Sequence, residues 1–313
     1  MNKQIQEFIK TYLTDYQKRP EIATSYGEPL VGFADAWHPY IQSLPQLISP
    51  THELPQNILP DAKTIIAYYV PFMKNLAKSN RTEGITASPE WARAYEEANA
   101  LFAELNEELI RFIHAKAGHA GITPKATTFY QTSLISDWSH RHIAYAAGLG
   151  TFGINNMLLT RSGCCGRFST VITNLDLETD QPLTEEYCLY KKNGTCGACV
   201  KHCPTGALTY DGYDRFKCYS LCQENAKIYT QFGSSYTNED GTGANSVGSE
   251  VCGKCITSSP CAFWSLAPSS ASSKTFIPRR FHPFPSTNTR IRVLIRSKCL
   301  HLRHRPLYSA FFR

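Results

Sequence analysis

The sequence predicts an α/β (α+β) domain over residues 1–180, a cysteine-organised module over 181–268, and a basic tail over 269–313. Three observations carry this prediction. Strand-like and helix-like segments are mixed up to about residue 180, the pattern of a layered mixed domain. Nine of the twelve cysteines then fall between Cys188 and Cys261, where regular periodicity fades. Beyond Pro268 the acidic residues disappear.

Taken in order, LVGFA (Leu30 to Ala34) and TIIAYYVPF (Thr64 to Phe72) are rich in β-branched and aromatic residues and lie near Pro or Gly, so both read as strands. The clearest helix runs from Ser88 to Gly118. Ser88 is an N-cap, Pro89 suits the first turn, and Gly118 supplies the stop. Between them Trp91, Tyr95, Ala98, Phe102, Leu105, Leu109 and Phe112 alternate steps of four and three, which places them on one core-facing stripe. Thr127 to Thr132 is strand-like, and Trp138 to Ala147 reads as a helix that stops at Gly148. Met157 to Leu175 reads as two strands around a glycine-containing turn.

A chain of 313 residues with 42% hydrophobic content can bury a sizeable core. MNKQIQEFIKTYLTDYQKRP interleaves charged with apolar positions and offers no apolar core for a signal segment. No run of about eighteen apolar residues occurs, which speaks against a membrane span. The expected location is the cytoplasm, where thiols stay reduced and a high cysteine count points to metal ligands rather than disulfides. The net charge of +6 is unevenly spread: ten of the 32 basic residues lie in 269–313, so the other 22 face all 26 acidic residues.

The stretch NGTCGACVKHCPTGAL carries the strongest motif. Its spacing, Cys196-x2-Cys199-x3-Cys203-Pro204, is a bacterial ferredoxin run, C-x2-C-x2-C-x3-C-P, without the first cysteine; that position is Asn193. A second pair is Cys252-x2-Cys255. With Cys188, Cys218, Cys222 and Cys261 there are enough thiols for two four-cysteine sites and one to spare. In two-cluster ferredoxins the cysteine before proline ligates the other cluster. Hence Cys188, Cys196, Cys199 and a returning Cys261 are expected at the first 4Fe-4S cluster, and Cys203, Cys218, Cys252 and Cys255 at the second. Cys222 is the alternative to Cys218. The turn former Asn193-Gly194 lets Cys188 replace the missing first ligand. Four-cysteine zinc sites also use C-x2-C pairs; the x3 step, the proline and the following TGAL favour iron-sulfur. The adjacent Cys164 and Cys165 are read as incidental, since neighbouring thiols cannot easily join the later ones at one cluster.

AGLGTFG satisfies G-x-G-x-x-G through Gly148, Gly150 and Gly153. A dinucleotide site needs that run to leave a strand and open a helix. Here it follows a helix and precedes a strand, so a nicotinamide site is not expected.

WSHRHIAYAAGLGTFGINNMLLT, GRFSTVITNL and CGACVKHCPTGAL together resemble the epoxyqueuosine reductase-like group of double-cluster iron-sulfur proteins, which are related to reductive dehalogenases. The resemblance runs from about Leu30 to Cys261. It implies an α/β domain that holds cobalamin in characterised members, fed with electrons by a ferredoxin-like module. It also implies an outside electron donor such as a ferredoxin or flavodoxin, and a small-molecule or tRNA substrate. In that picture Gly148, Gly150 and Gly153 lie beside the corrinoid, and Arg141 holds an anionic group of cofactor or substrate. The aspartate that donates a proton in epoxyqueuosine reductases is replaced here by Leu134; Asp137, three residues later, is the candidate for that role. The expected function is an iron-sulfur oxidoreductase. The alternatives are an electron-transfer protein without catalysis of its own and, ranked below both, a zinc-dependent nucleic-acid binder. The tail reads as a disordered terminus or out-of-frame translation ahead of a basic RNA-binding arm.

Overall fold

The strand Thr64–Pro71 is buried along all eight residues, so the sheet that contains it is covered on both faces. The computed structural model describes residues 1–124, 129–130, 133–233 and 248–263. The tail and part of the strand-like stretch 127–132 lie outside the described residues. In chain order the strands are β1 (Leu30–Asp35), β2 (Thr64–Pro71), β3 (Gly121–Ile122), β4 (Phe129–Tyr130), β5 (Ile135–Ser136), β6 (Gly150–Phe152), β7 (Leu158–Thr160) and β8 (Gly166–Thr173). The helices that position the site are α1 (Asn2–Tyr16), α2 (Pro89–Ala117), α3 (His140–Ala146), α4 (Leu189–Asn193), α5 (Ala198–Lys201), α6 (Arg215–Ile228) and α7 (Lys254–Thr257).

The main sheet has the order β1-β2-β8-β3, and every pairing is antiparallel. Of the two forms the sequence allowed, the α+β form is therefore the one adopted. β4 pairs with β5 and β6 with β7 in separate ribbons, so the two strands expected within Met157–Leu175 belong to different sheets.

Alternation along β2 sorts its side chains between two cores. Ile66, Tyr68 and Val70 meet Ile5, Ile9 and Leu13 of α1 and Leu105 and Leu109 of α2. Ile65, Ala67 and Tyr69 meet Ile143 and Ala144 of α3, together with Trp138. Each fully buried Ile of this strand contributes about 1.5–3 kcal/mol by leaving water. A polar chain crosses the first core: Tyr68 donates to Asn106 Oδ1 at 2.7 Å, and Asn106 Nδ2 donates to Ser169 Oγ at 3.0 Å. α2 begins and ends where the sequence predicts. Ser88 Oγ accepts from Trp91 N at 3.1 Å, and Gly118 is left-handed at φ 67°.

The cysteine-rich segment packs into the same first core, through Cys188, Tyr229, Val251, Ile256 and Ala262. Polar ties run from the loop before α2: Asn80 Nδ2 donates to Cys252 O at 2.8 Å, Arg81 Nε to Thr257 O at 2.6 Å, and Ala87 N to Asn225 Oδ1 at 3.1 Å. Gly253, at φ 70°, lies against the Trp91 ring, where an added Cβ would come within 2.5 Å. These contacts fix Cys252 and Cys255 relative to the sheet.

Candidate metal centre

Cys188 caps the N-terminus of α4, a five-residue helix that stops at left-handed Gly194. Asn193 Oδ1 accepts from Thr195 N at 3.2 Å and from Thr195 Oγ1 at 2.6 Å, which closes the turn. The chain thereby brings Cys196 and Cys199 back to the wall that Cys188 faces. Cys261 arrives from the far end of the module. Cys188, Cys196, Cys199 and Cys261 line one cavity, together with Gly153, Asn155 and apolar neighbours but with no carboxylate or imidazole. Four thiols without a hard competing ligand are the donor set that iron-sulfur clusters use.

The return of Cys261 depends on a short clamp. Cys164 N donates to Cys261 O at 3.0 Å and Cys165 N to Ala262 O at 3.0 Å. The preceding Gly163 has φ 88°, and an added Cβ there would stand 2.2 Å from Ala262 O, so glycine permits this approach. Cys164 Sγ lies 3.9 Å from Cys261 Sγ. The sequence reading of Cys164 as incidental is thus corrected: its partner across the clamp, 97 positions away, is one of the expected ligands. An adjacent-cysteine pair gives no periodic signal of such a contact.

Cys203, Cys218, Cys222, Cys252 and Cys255 lie within one another's electrostatic reach. Cys218 and Cys222 share a face of α6, which Asp214 caps by accepting from Phe216 N at 3.0 Å and Lys217 N at 3.1 Å. Burial pushes the Cys252 thiol up to about 11, with the fields of Cys218 and Cys203 adding to the rise. Cys255 is driven well above the usual thiol range by burial and by Cys252, Cys218 and Cys203. Cys218 is held low, at about 6, by hydrogen bonds from Cys222 and Tyr213, while Cys222 is raised by the same bond. At the first site burial pushes Cys199 up to about 12, reinforced by Cys261, Cys188 and Cys196. Cys199, Cys252 and Cys255 thus sit where burial and neighbouring thiols oppose their ionisation, a cost that bound cations remove. Among the described residues no three His, Cys, Asp or Glu side chains converge closely enough to hold a single metal ion.

The other predicted residues lie between β5 and β7. Arg141 of α3 donates to the Asn156 carbonyl and, at 3.5 Å, to Met157 Sδ. A Cβ on Gly148 would meet Gln181 O at 2.5 Å, on Gly150 Leu159 O at 2.1 Å, and on Gly153 Leu159 Cδ1 at 2.5 Å. The close approaches these glycines allow are thus to the chain's own atoms. Asp137 follows β5, and its Oδ1 is buried with no hydrogen-bond partner among the described residues. Leu134 is buried at 2% exposure with φ 53°, a left-handed conformation unusual for a bulky residue.

Sequence comparison adds the relationship. An epoxyqueuosine reductase of Bacillus subtilis (strain 168) is 32% identical over 164 residues, covering 50% of this chain and 38% of that protein. One of Cyclobacterium marinum is 40% identical over 82 residues, covering 26% and 25%. A solved selenomethionine-labelled epoxyqueuosine reductase aligns over 82% of this chain and 66% of its own at 22% identity, with a TM-score of 0.49. No family model matches. The chain spans well under half the length of the first of these relatives. The chain is thus similar in sequence to epoxyqueuosine reductases over about half of its length. Among the described residues no helix is long and apolar enough to cross a membrane.

Proposed function

We propose that the chain is an epoxyqueuosine reductase-like iron-sulfur oxidoreductase with two 4Fe-4S clusters. Cys188, Cys196, Cys199 and Cys261 hold the first, and Cys203, Cys218, Cys252 and Cys255 the second. The observation that carries this reading is the cavity lined by the first four cysteines, drawn from segments more than sixty positions apart in sequence. Such clusters carry one electron at a time. The chain's own contribution is to hold them beside a shared core, with Cys188 and Cys199 buried and the other six partly exposed.

Electrons entering from a ferredoxin- or flavodoxin-type donor pass to an acceptor in the first domain. Cobalamin is the acceptor the resemblance implies, and Arg141, Gly148, Gly150 and Gly153 are the residues that would hold it. Reducing an epoxide to an alkene takes two electrons and two protons and releases water. Asp137, with its unpartnered buried Oδ1, is the proposed source of one proton. The test is to supply the reduced, cluster-loaded chain with an epoxyqueuosine-bearing tRNA stem loop and follow loss of one oxygen atom by mass spectrometry. Conversion by the unaltered chain and its loss in Asp137→Asn is the expected result. Reduced clusters that leave the stem loop unchanged would sink the catalytic reading and leave the second one, an electron-transfer protein. That second reading is favoured by buried, apolar Leu134 at the position where the resemblance expects an aspartate.

A further inference from the structure

Two groups outside the eight expected ligands point at one ligand sulfur. Asn155 is 5% exposed and sits in the turn between β6 and β7. Its Oδ1 accepts from Met157 N at 3.1 Å, which fixes the amide and turns Nδ2 the other way. There Nδ2 stands 3.7 Å from Cys164 Sγ and 4.0 Å from Cys261 Sγ, both within reach of a hydrogen bond to sulfur. Cys164 is fully buried, and its Sγ is 3.9 Å from that of Cys261. The arrangement is built rather than fortuitous. The Cys164–Cys261 and Cys165–Ala262 backbone bonds hold the two segments in register, and Gly163 alone allows them so close. Gly153 has the same role for the amide, since a Cβ on it would lie 2.6 Å from Asn155 Oδ1.

We infer that Asn155 and Cys164 are positioning residues that donate hydrogen bonds to the Cys261 sulfur and raise the reduction potential of the first cluster. The inference rests on the cluster assignment proposed above. A cluster gains negative charge on reduction, and donors aimed at its sulfurs favour the more negative state. Asn155 donates through Nδ2–H and Cys164 through its thiol, which also bonds with Asn155. The hydrogen bonds of Asn155 and Cys164 run to Cys261 and to each other, so the effect falls on the first cluster.

The test uses the full chain reconstituted anaerobically with iron and sulfide, and its Cys164→Ala, Cys164→Ser and Asn155→Asp variants. Iron and acid-labile sulfide are counted, and both midpoints are followed by redox titration with electron paramagnetic resonance. Cys164→Ala and Asn155→Asp are expected to keep two clusters, with the reduced-to-oxidised ratio of one lowered about tenfold at fixed potential, equivalent to about 59 mV for one electron. Cys164→Ser, which retains a donor, should stay close to the unaltered chain, and the second midpoint should not move in any variant. Unchanged midpoints in all three variants would overturn the inference while leaving the cluster assignment intact. Loss of half the iron in Cys164→Ala would overturn it by making Cys164 a ligand. An unaltered chain that takes up neither iron nor sulfide would instead refute the proposed function beneath it.

Discussion

Replacing Cys188 with alanine separates a ligand role from a packing role. Its backbone is held without the side chain: Cys188 N donates to Glu186 Oε1 at 2.8 Å, and Cys188 O accepts from Lys192 N at 2.8 Å. The entry to α4 therefore survives the substitution. The thiol itself is 7% exposed and faces the cavity shared with Cys196, Cys199 and Cys261. Removing one buried sulfur should cost the metal-free fold about 1 kcal/mol, the centre of the range for point substitutions. Removing one of four thiolates should cost a whole cluster, so iron after anaerobic reconstitution should fall from about eight to about four per chain. Sulfide should fall in parallel, while metal-free thermal unfolding shifts by only a few degrees. A variant that still carries two complete clusters would refute the assignment of Cys188 and the displaced-ligand argument with it.

Three further outcomes follow from the packing and electrostatics. Tyr68→Phe removes the donor to buried Asn106 Oδ1 and should destabilise the fold by about 1–3 kcal/mol in denaturant unfolding, with cluster content unchanged. Gly253→Ala forces a Cβ toward the Trp91 ring at a left-handed position; it should cost about 1–3 kcal/mol and lower iron at the second site, while the first keeps its cluster. His140 is pulled down to about 4 by burial and by Arg167, and its Nδ1 lies 2.9 Å from Thr170 Oγ1. Because the unfolded chain binds this proton more readily, the stability it contributes is complete above about pH 6.5 and is lost as pH falls toward 4, by up to about 3 kcal/mol. A midpoint of unfolding that stays level between pH 7 and 5 would contradict that account.

Much of the first domain can be read from local rules. α2 announces itself through Ser88, Pro89 and Gly118 because capping chemistry is local, and its stripe because a helix repeats within a few residues. Strand direction is different: an antiparallel sheet in the order β1-β2-β8-β3 depends on distant pairings such as Leu30 with Tyr69 and Thr64 with Thr173, which no window sees. α3 begins at His140 rather than Trp138, since Ser139 N donates to His52 Nε2 at 3.2 Å and Trp138 Nε1 donates to Thr170 Oγ1 at 3.0 Å. Those tertiary bonds outbid the helical continuation. In the cysteine module, spacing alone suggested that Cys188 and Cys261 accompany Cys196 and Cys199, and these four line one cavity. Spacing could not reveal Asn155 or Cys164, whose approach to Cys261 is created by the fold and marked in sequence only by Gly163. The glycine run is legible as unusual, and in the fold an added Cβ on its glycines would meet Leu159, Asn155 and Gln181.

The most direct test of the two-cluster account is a count of iron, acid-labile sulfide and zinc per chain in protein purified without oxygen, with the visible spectrum recorded on the same sample. The account predicts a brown protein with about eight iron and about eight sulfide per chain. A colourless, sulfide-free protein carrying zinc would contradict it.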